Sequence, residues 1–383
     1  MLLTPRYGAG ALADLLPSVL AALGVPGETD ALTLGLDPAI DRICVLLVDG
    51  LGSHQLAEHA ADAPALTALP RRTLTAGFPS TTATSLASFG TGLPPGEHGL
   101  VGYLIRVPGF DRAVSTLRWT LHGEGARTDL LKALPPEEFQ PHATAFERAA
   151  AHGVTVTQVA PGYQNGSGLS RAVLRGCEFR LEVSVGDLVD GVLTALEAGP
   201  RALVYAYHAD LDTTGHLRGP GSRAWRGELA HTDRIVAEIA ERLPPRSALL
   251  VTADHGMIAH TGSVDADTEP ALRDGVALLA GEPRVRYVYT ADGATADVAA
   301  AWSATLGADF TVLTRDEVIE RGWFGPVVAD AVRPRIGDLV VVATGTRGVV
   351  RTGAEPIQSA MLGHHGSLTA AELEIPLAAA TAL

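Results

Sequence analysis

Three strongly apolar runs, at residues 43–48, 201–207 and 248–252, have the length and composition of strands buried on both faces. A fourth, at 154–159, follows a stretch with helical spacing at 144–152. Between the runs, residues 187–196 and 226–243 repeat apolar positions every three or four residues, as amphipathic helices do. Strands alternating with helices predict an α/β fold with a mainly parallel sheet covered on both sides. In such sheets ligands bind beyond the carboxyl ends of the strands, and Asp49, Asp212 and Asp254 each stand shortly after one of these runs. Residues 103–142 break the rhythm with Pro108, Gly109, Gly123, Gly125, Pro135 and Pro136, and are expected to form an inserted loop or small cap over the strand ends. The alternation is expected to resume over 265–340, with strands at 284–289 and 339–342. No Ser/Gly-rich linker appears, so 1–383 is expected to be one domain with an insert at about 103–142.

Composition narrows the classes. Of 383 residues, 46% are hydrophobic and 19% charged, which excludes intrinsic disorder. The formal charge is −14, with 29 Lys+Arg against 43 Asp+Glu, and argues against coating nucleic acid. A small phosphate ester in a metal-lined pocket is still compatible with that sign. Cys44 and Cys177 are the only cysteines, too few for a disulfide framework or a Cys-rich zinc site. No apolar run approaches a membrane span, and Arg6, Asp14 and Pro17 interrupt any leader-like core. The expectation is a cytoplasmic protein that acts on a small molecule, away from membranes, with its oligomeric state open.

The candidate chemistry lies at the strand ends. Asp49 precedes Gly50-Leu51-Gly52 and is either a hard oxygen ligand or a helix cap. Asp212 and His216 stand four apart, one helical turn, with His208 and Asp210 as competing candidates nearby. Asp254 and His255 are adjacent before Gly256, and His364-His365 precede Gly366. Taken together, Asp49, Asp212, His216, Asp254, His255 and His365 mix carboxylate and imidazole, a donor set suited to zinc or manganese. Six such groups exceed the needs of one ion, and two ions about 4 Å apart clamp a phosphoryl group. A hydroxyl at the start of the helix after Phe78-Pro79-Ser80-Thr81-Thr82 would then serve either as a cap or as a metal-activated nucleophile.

These motifs, with Thr91-Gly92-Leu93-Pro94-Pro95 and His98-Gly99 between them, resemble the alkaline phosphatase superfamily, and most closely the type I phosphodiesterase/nucleotide pyrophosphatase family. The resemblance spans Asp49 to Gly366. It implies an alkaline-phosphatase-like three-layer α/β sandwich holding two divalent ions, zinc first and manganese second. It also implies hydrolysis of phosphoesters through a covalent phospho-threonine. By position Thr82 matches the nucleophile. Asp49, Thr82, Asp254 and His255 match the ligands of one ion, and Asp212, His216 and His365 those of the other. Where the family usually carries an aromatic residue after the nucleophile and an Asn three residues beyond it, this chain has Ala83 and Ser85.

Neighbouring activities are the competing readings: a phosphonoacetate-hydrolase-like or phosphomonoesterase reaction on the same site, or a non-catalytic metal-binding relative. Phosphonoacetate hydrolases meet the substrate carboxylate with Lys, and Lys132 is the only Lys here. Ser85, Tyr103 and Trp119 are the expected substrate-binding residues. Arg106, Arg118, Arg127, His122, Tyr163 and Arg171 are further candidates, each with an ordinary packing or surface role as the alternative.

Overall fold

Every side chain from Ile43 to Val48 is buried, as is every one from Ala202 to His208 and from Ser247 to Thr252. Successive strand residues point to opposite faces, so both faces of these strands are covered by other layers. The computed structural model describes residues 2–123 and 125–383. Its central sheet has seven strands: β1 (Arg42–Val48), β2 (Arg71–Thr75), β3 (Thr155–Pro161), β4 (Glu178–Glu182), β5 (Ala202–His208), β6 (Ser247–Thr252) and β7 (Glu374–Ala382). They lie in the order β2-β7-β6-β1-β5-β3-β4. The five strands from β6 to β4 are mutually parallel, and β7 runs antiparallel to both β6 and β2. This is the α/β sandwich with a mainly parallel sheet that the sequence predicts. Helix α1 (Thr82–Thr91) follows β2, and α2 (Asp210–Arg218) and α3 (Arg223–Glu241) follow β5. On α3, Trp225, Leu229, Thr232, Val236 and Ile239 recur every three or four positions and are buried. That stripe holds the helix to the rest of the fold.

Residues 265–340 do not continue the parallel pattern expected of them. They contain a separate antiparallel sheet of Val276–Glu282, Val285–Thr290, Leu339–Ala343 and Phe310–Thr314, in that order. The reason is local: only Pro283 and Arg284 join the first two strands, too few for a parallel crossover. Alternation then divides its side chains between two cores. Tyr287, Tyr289, Val340 and Val342 join the main core, while Val288, Leu339 and Val341 meet Trp302 in a second one.

Residues 103–142 contain a small antiparallel sheet of Leu104–Ile105, Val114–Ser115 and Thr120–Leu121. It is tied to the four-stranded sheet by Tyr289, whose hydroxyl accepts from Arg106 N over 3.0 Å, and by Tyr287, which donates to Val101 O over 2.5 Å. Among the described residues no helix is long and apolar enough to cross a membrane.

Candidate active site

Strand register places the first acidic residues. Leu47 is level with Thr252 on one side and with Tyr207 on the other. Asp49 and Asp254, each two places further on, leave the sheet at one height, and Gly50 N donates to Asp254 Oδ1 over 3.1 Å. Gly50 has a φ of +74°, and a Cβ there would come within 3.0 Å of Asp212 Cβ, so glycine is required at this turn. Helix α2 opens directly after β5 and brings Asp212 and His216 together, with His216 Nε2 3.3 Å from Asp212 Oδ2. His365 arrives from the far end of the chain, because Gly363–His364 pairs antiparallel with Ile258–Ala259 just beyond His255. Ser80 locks the start of α1 against that segment: its N–H donates to Gly366 O over 3.0 Å and its Oγ to Ser367 O over 2.6 Å. Thr82 is the first residue of α1, and its Oγ1 is 3.2 Å from His255 Nε2. All seven residues picked out as ligands thus share one site.

The hydrogen bonds fix what these groups offer. The Nδ1 atoms of His216, His255 and His365 lie 2.8, 2.9 and 2.9 Å from the carbonyl oxygens of Gly363, Gly256 and Ser80. A carbonyl only accepts, so each Nδ1 carries a proton, and a ring in its neutral form turns its Nε2 lone pair inward. His216 Nε2 and His365 Nε2 face each other at 3.3 Å. His255 Nε2 is 3.4 Å from both Asp49 Oδ1 and Asp254 Oδ2. Asp49 Oδ1, Asp212 Oδ1 and Asp254 Oδ2 are sealed from solvent without a hydrogen-bond partner. An unsatisfied buried polar group costs about 1–3 kcal/mol, and more when charged. Three on one site are a large fraction of a total stability of about 5–15 kcal/mol.

The charge balance points the same way. Burial first, then Asp254 and Asp212 alongside, hold the Asp49 carboxyl well above its ordinary range. Burial also raises Asp254, with Asp212 adding to it and His255 opposing. Burial, and the neighbouring His255 and His216, keep His365 neutral far below the usual imidazole range. Clustered carboxylates that repel one another, beside an imidazole held neutral, fit bound positive ions. Asp49, Asp254 and His255 present ligand atoms within 4.8 Å of one another, and so do Asp212, His255 and His365.

Several site features have no signature in the sequence. The Tyr207 hydroxyl donates to Asp49 Oδ2 and orients that carboxylate, yet in the sequence it is one more residue of an apolar run. Tyr163, a further candidate from the sequence, is 65% exposed and near enough to Asp49 to feel its charge, which puts an open aromatic ring at the edge of the site. Gly52 and Gly256 let two loops touch: a Cβ on Gly52 would lie 2.8 Å from Gly256 Cα.

Other candidates are placed elsewhere. Trp119 is a correction: it is 1% exposed, its Nε1 donates to Leu134 O over 2.7 Å, and its ring packs edge-on against Phe139. A ring so enclosed has no face for a substrate. Ser85 is fully buried with its Oγ unpartnered. Tyr103 is half-buried, and its hydroxyl accepts from Gln358 Nε2 over 3.2 Å. Arg171 is bound to Glu137 over 2.8 Å, His122 lies 3.7 Å from Glu355, and Arg106 lies over the Tyr289 ring. Arg118 and Arg127 are exposed. His364 turns toward His260, with ring centroids 4.7 Å apart, and its Nε2 has no partner. His98 is a packing residue, its Nε2 3.1 Å from Ser88 Oγ and its Nδ1 accepting from Leu100 N over 3.1 Å.

Behind Thr81 lies Glu282, buried, with Oε1 unpartnered, and pushed up to about 8 chiefly by burial. Below an ordinary value of 4.5 it is neutral in both folded and unfolded chains; between 4.5 and about 8 only the unfolded chain ionises. Its contribution to stability is therefore full at low pH and lost as pH rises through that window. Glu282→Gln should melt above wild type by a margin that grows from pH ~5 to ~8.5 in thermal denaturation. A margin that does not change with pH would contradict this.

Residues 43–368 match the type I phosphodiesterase / nucleotide pyrophosphatase family. Among solved structures the fold is similar to murine ectonucleotide pyrophosphatase / phosphodiesterase 5, with a TM-score of 0.69 and 19% identity over 89% of this chain and 88% of that one. It is also similar to phosphonoacetate hydrolase from Sinorhizobium meliloti 1021, with a TM-score of 0.65 and 19% identity over 90% and 91% of the two chains. A phosphopentomutase from Chromohalobacter salexigens is 39% identical over 95 residues, a match to 24% of this chain and only 22% of that enzyme. With the family matched across most of its length, the chain belongs to the type I phosphodiesterase / nucleotide pyrophosphatase family of the alkaline phosphatase superfamily and is an enzyme that hydrolyses phosphoesters.

Proposed function

We propose that this chain is a phosphodiesterase that uses Thr82 as nucleophile and two divalent ions, zinc first and manganese second. The observation that carries the reading is the set of inward-facing Nε2 lone pairs among buried, unpartnered carboxylate oxygens, with Thr82 Oγ1 at its edge. Asp49, Thr82, Asp254 and His255 would hold one ion, and Asp212, His216 and His365 the other. Bound there, the ions supply the positive charge that lowers the Thr82 hydroxyl pKa and neutralises phosphoryl oxygens. Thr82 Oγ attacks phosphorus, the alcohol departs, and water then frees the phospho-threonine. The first N–H groups of α1 donate to the phosphoryl oxygens, and Ser85 Oγ adds a donor. Tyr207 holds Asp49 in orientation, as a partner behind a ligand does. Residues 1–383 act as one catalytic unit, since the main core runs from the central sheet into the four-stranded one. Two unpaired thiols, Cys44 and Cys177, suit a reducing compartment such as the cytoplasm.

The substrate is a small diester. Ala83 offers no ring beside the nucleophile, so an aromatic group on the substrate would find Tyr163 instead. A panel of an aryl phosphodiester, the matching monoester, a pyrophosphate and phosphonoacetate tests this. The diester should give the highest kcat/KM. Cleavage of phosphonoacetate alone, or no turnover with added zinc, overturns the reading in favour of a phosphonate hydrolase or a non-catalytic relative.

A further inference from the structure

A second cluster of ligand-type side chains lies apart from the seven residues above. β5 ends in His208, α2 begins at Asp210, and Glu228 approaches them from α3. A ring nitrogen of His208 and carboxylate oxygens of Asp210 and Glu228 lie within 4.8 Å of one another. On the same helix, His231 Nδ1 is 3.5 Å from Glu228 Oε2. Among the described residues, neither Asp210 nor Glu228 has an Arg or Lys partner within 4.0 Å.

The telling group is His208. It is 3% exposed, and its Nε2 is shut off from solvent with no hydrogen-bond partner. Buried imidazole nitrogens are normally satisfied, so one without a partner, in a ring beside two carboxylates that lack an Arg or Lys, needs an explanation. A cation meets both deficits, by taking an imidazole lone pair and neutralising the carboxylates. We propose that His208, Asp210 and Glu228, with His231 as a fourth donor, form a binding site for a divalent transition-metal ion separate from the Asp49–His365 centre. Imidazole among carboxylates selects zinc-like ions over calcium or magnesium, which take oxygen donors. Asp210 is exposed and gives the ion an entry path. Small rotamer shifts would bring the four donors to bonds of about 2.0–2.2 Å. Such an ion ties the start of α2 to α3, and so steadies the helix that carries Asp212 and His216.

The test is a difference in metal content. Wild type and Glu228→Gln are each saturated with zinc, freed of loosely bound ion by dialysis, and analysed. The variant should hold about one ion fewer per chain, and His208→Gln should match it. Glu228 is half-buried on the surface of α3, so its replacement leaves the fold intact. Because the reading is a difference, it is independent of how many ions the other centre takes and of whether the proposed reaction is correct. Equal zinc content in wild type and Glu228→Gln overturns the site. So does a zinc-loaded crystal whose anomalous map has no peak between His208 and Glu228.

Discussion

Thr82→Ala should lower turnover of an aryl phosphodiester by about 10³-fold or more, a loss of about 4 kcal/mol of transition-state stabilisation. The proposed reaction routes the phosphoryl group through the Thr82 hydroxyl, and Ala removes the only atom that forms the bond. The fold should survive. Thr82 is the first helical residue of α1, Thr81 is the cap, and Ala is the best helix former. The neighbouring hydroxyls serve as controls. Thr81 is extended, with its side chain turned to Glu282. Thr84 lies about 200° around the helix from Thr82 at ~100° per residue, and it is fully buried. Thr81→Ala and Thr84→Ala should each keep most of the activity. A slow substrate quenched in turnover should leave phosphate on the peptide bearing Thr82. Label on Thr81 or Ser85, or a Thr82→Ala variant within tenfold of wild type, would remove Thr82 from the role.

What the sequence reveals follows burial. β1, β5 and β6 are covered on both faces, so each is a continuous apolar run and is legible within a residue or two. β2 and β4 lie at the sheet edges and read Arg71-Arg-Thr-Leu-Thr75 and Glu178-Phe-Arg-Leu-Glu182, with too little apolar content to stand out. β7 is rich in Ala and contains Pro376, both poor strand signals, and it is a strand because β2 and β6 flank it. The four-stranded sheet is hidden for a different reason. Two of its strands, at 284–289 and 339–342, are visible as runs, while Val276–Glu282 and Phe310–Thr314 are not, and the antiparallel pairing depends on the short Pro283-Arg284 connection. In the site, short polar motifs beside Gly mark Asp49, Asp254-His255 and His365, while Tyr207 is disguised by its apolar strand. Trp119 and His98 show the converse: residue types that suggest function, held in the core by satisfied hydrogen bonds.

Asp254→Asn separates function from stability at the centre of the site. Asp254 Oδ1 accepts from Gly50 N and from His255 N, each over 3.1 Å, and an Asn oxygen keeps both bonds. The Asn amide replaces Oδ2, which is sealed from solvent and has no partner. Without ions, the exchange removes one of the two buried carboxylates, Asp49 and Asp254, and some of the burial cost and repulsion that raise them. In chelator the variant should therefore melt above wild type. In zinc the order should reverse, because wild type gains stability from binding and the variant has lost an anionic ligand. Turnover should fall by about 10³-fold or more. Asp212→Asn should lose turnover to a similar extent, since Asp212 Oδ1 is likewise sealed and unpartnered and its Oδ2 faces His216. A variant that melts below wild type in chelator would mean that Asp254 is held by its own contacts and not poised for a cation. Full activity in either variant would mean that the carboxylates do not serve ions used in the reaction. The paired readout matters because loss of activity alone also follows from a damaged fold, whereas a gain in ion-free stability does not.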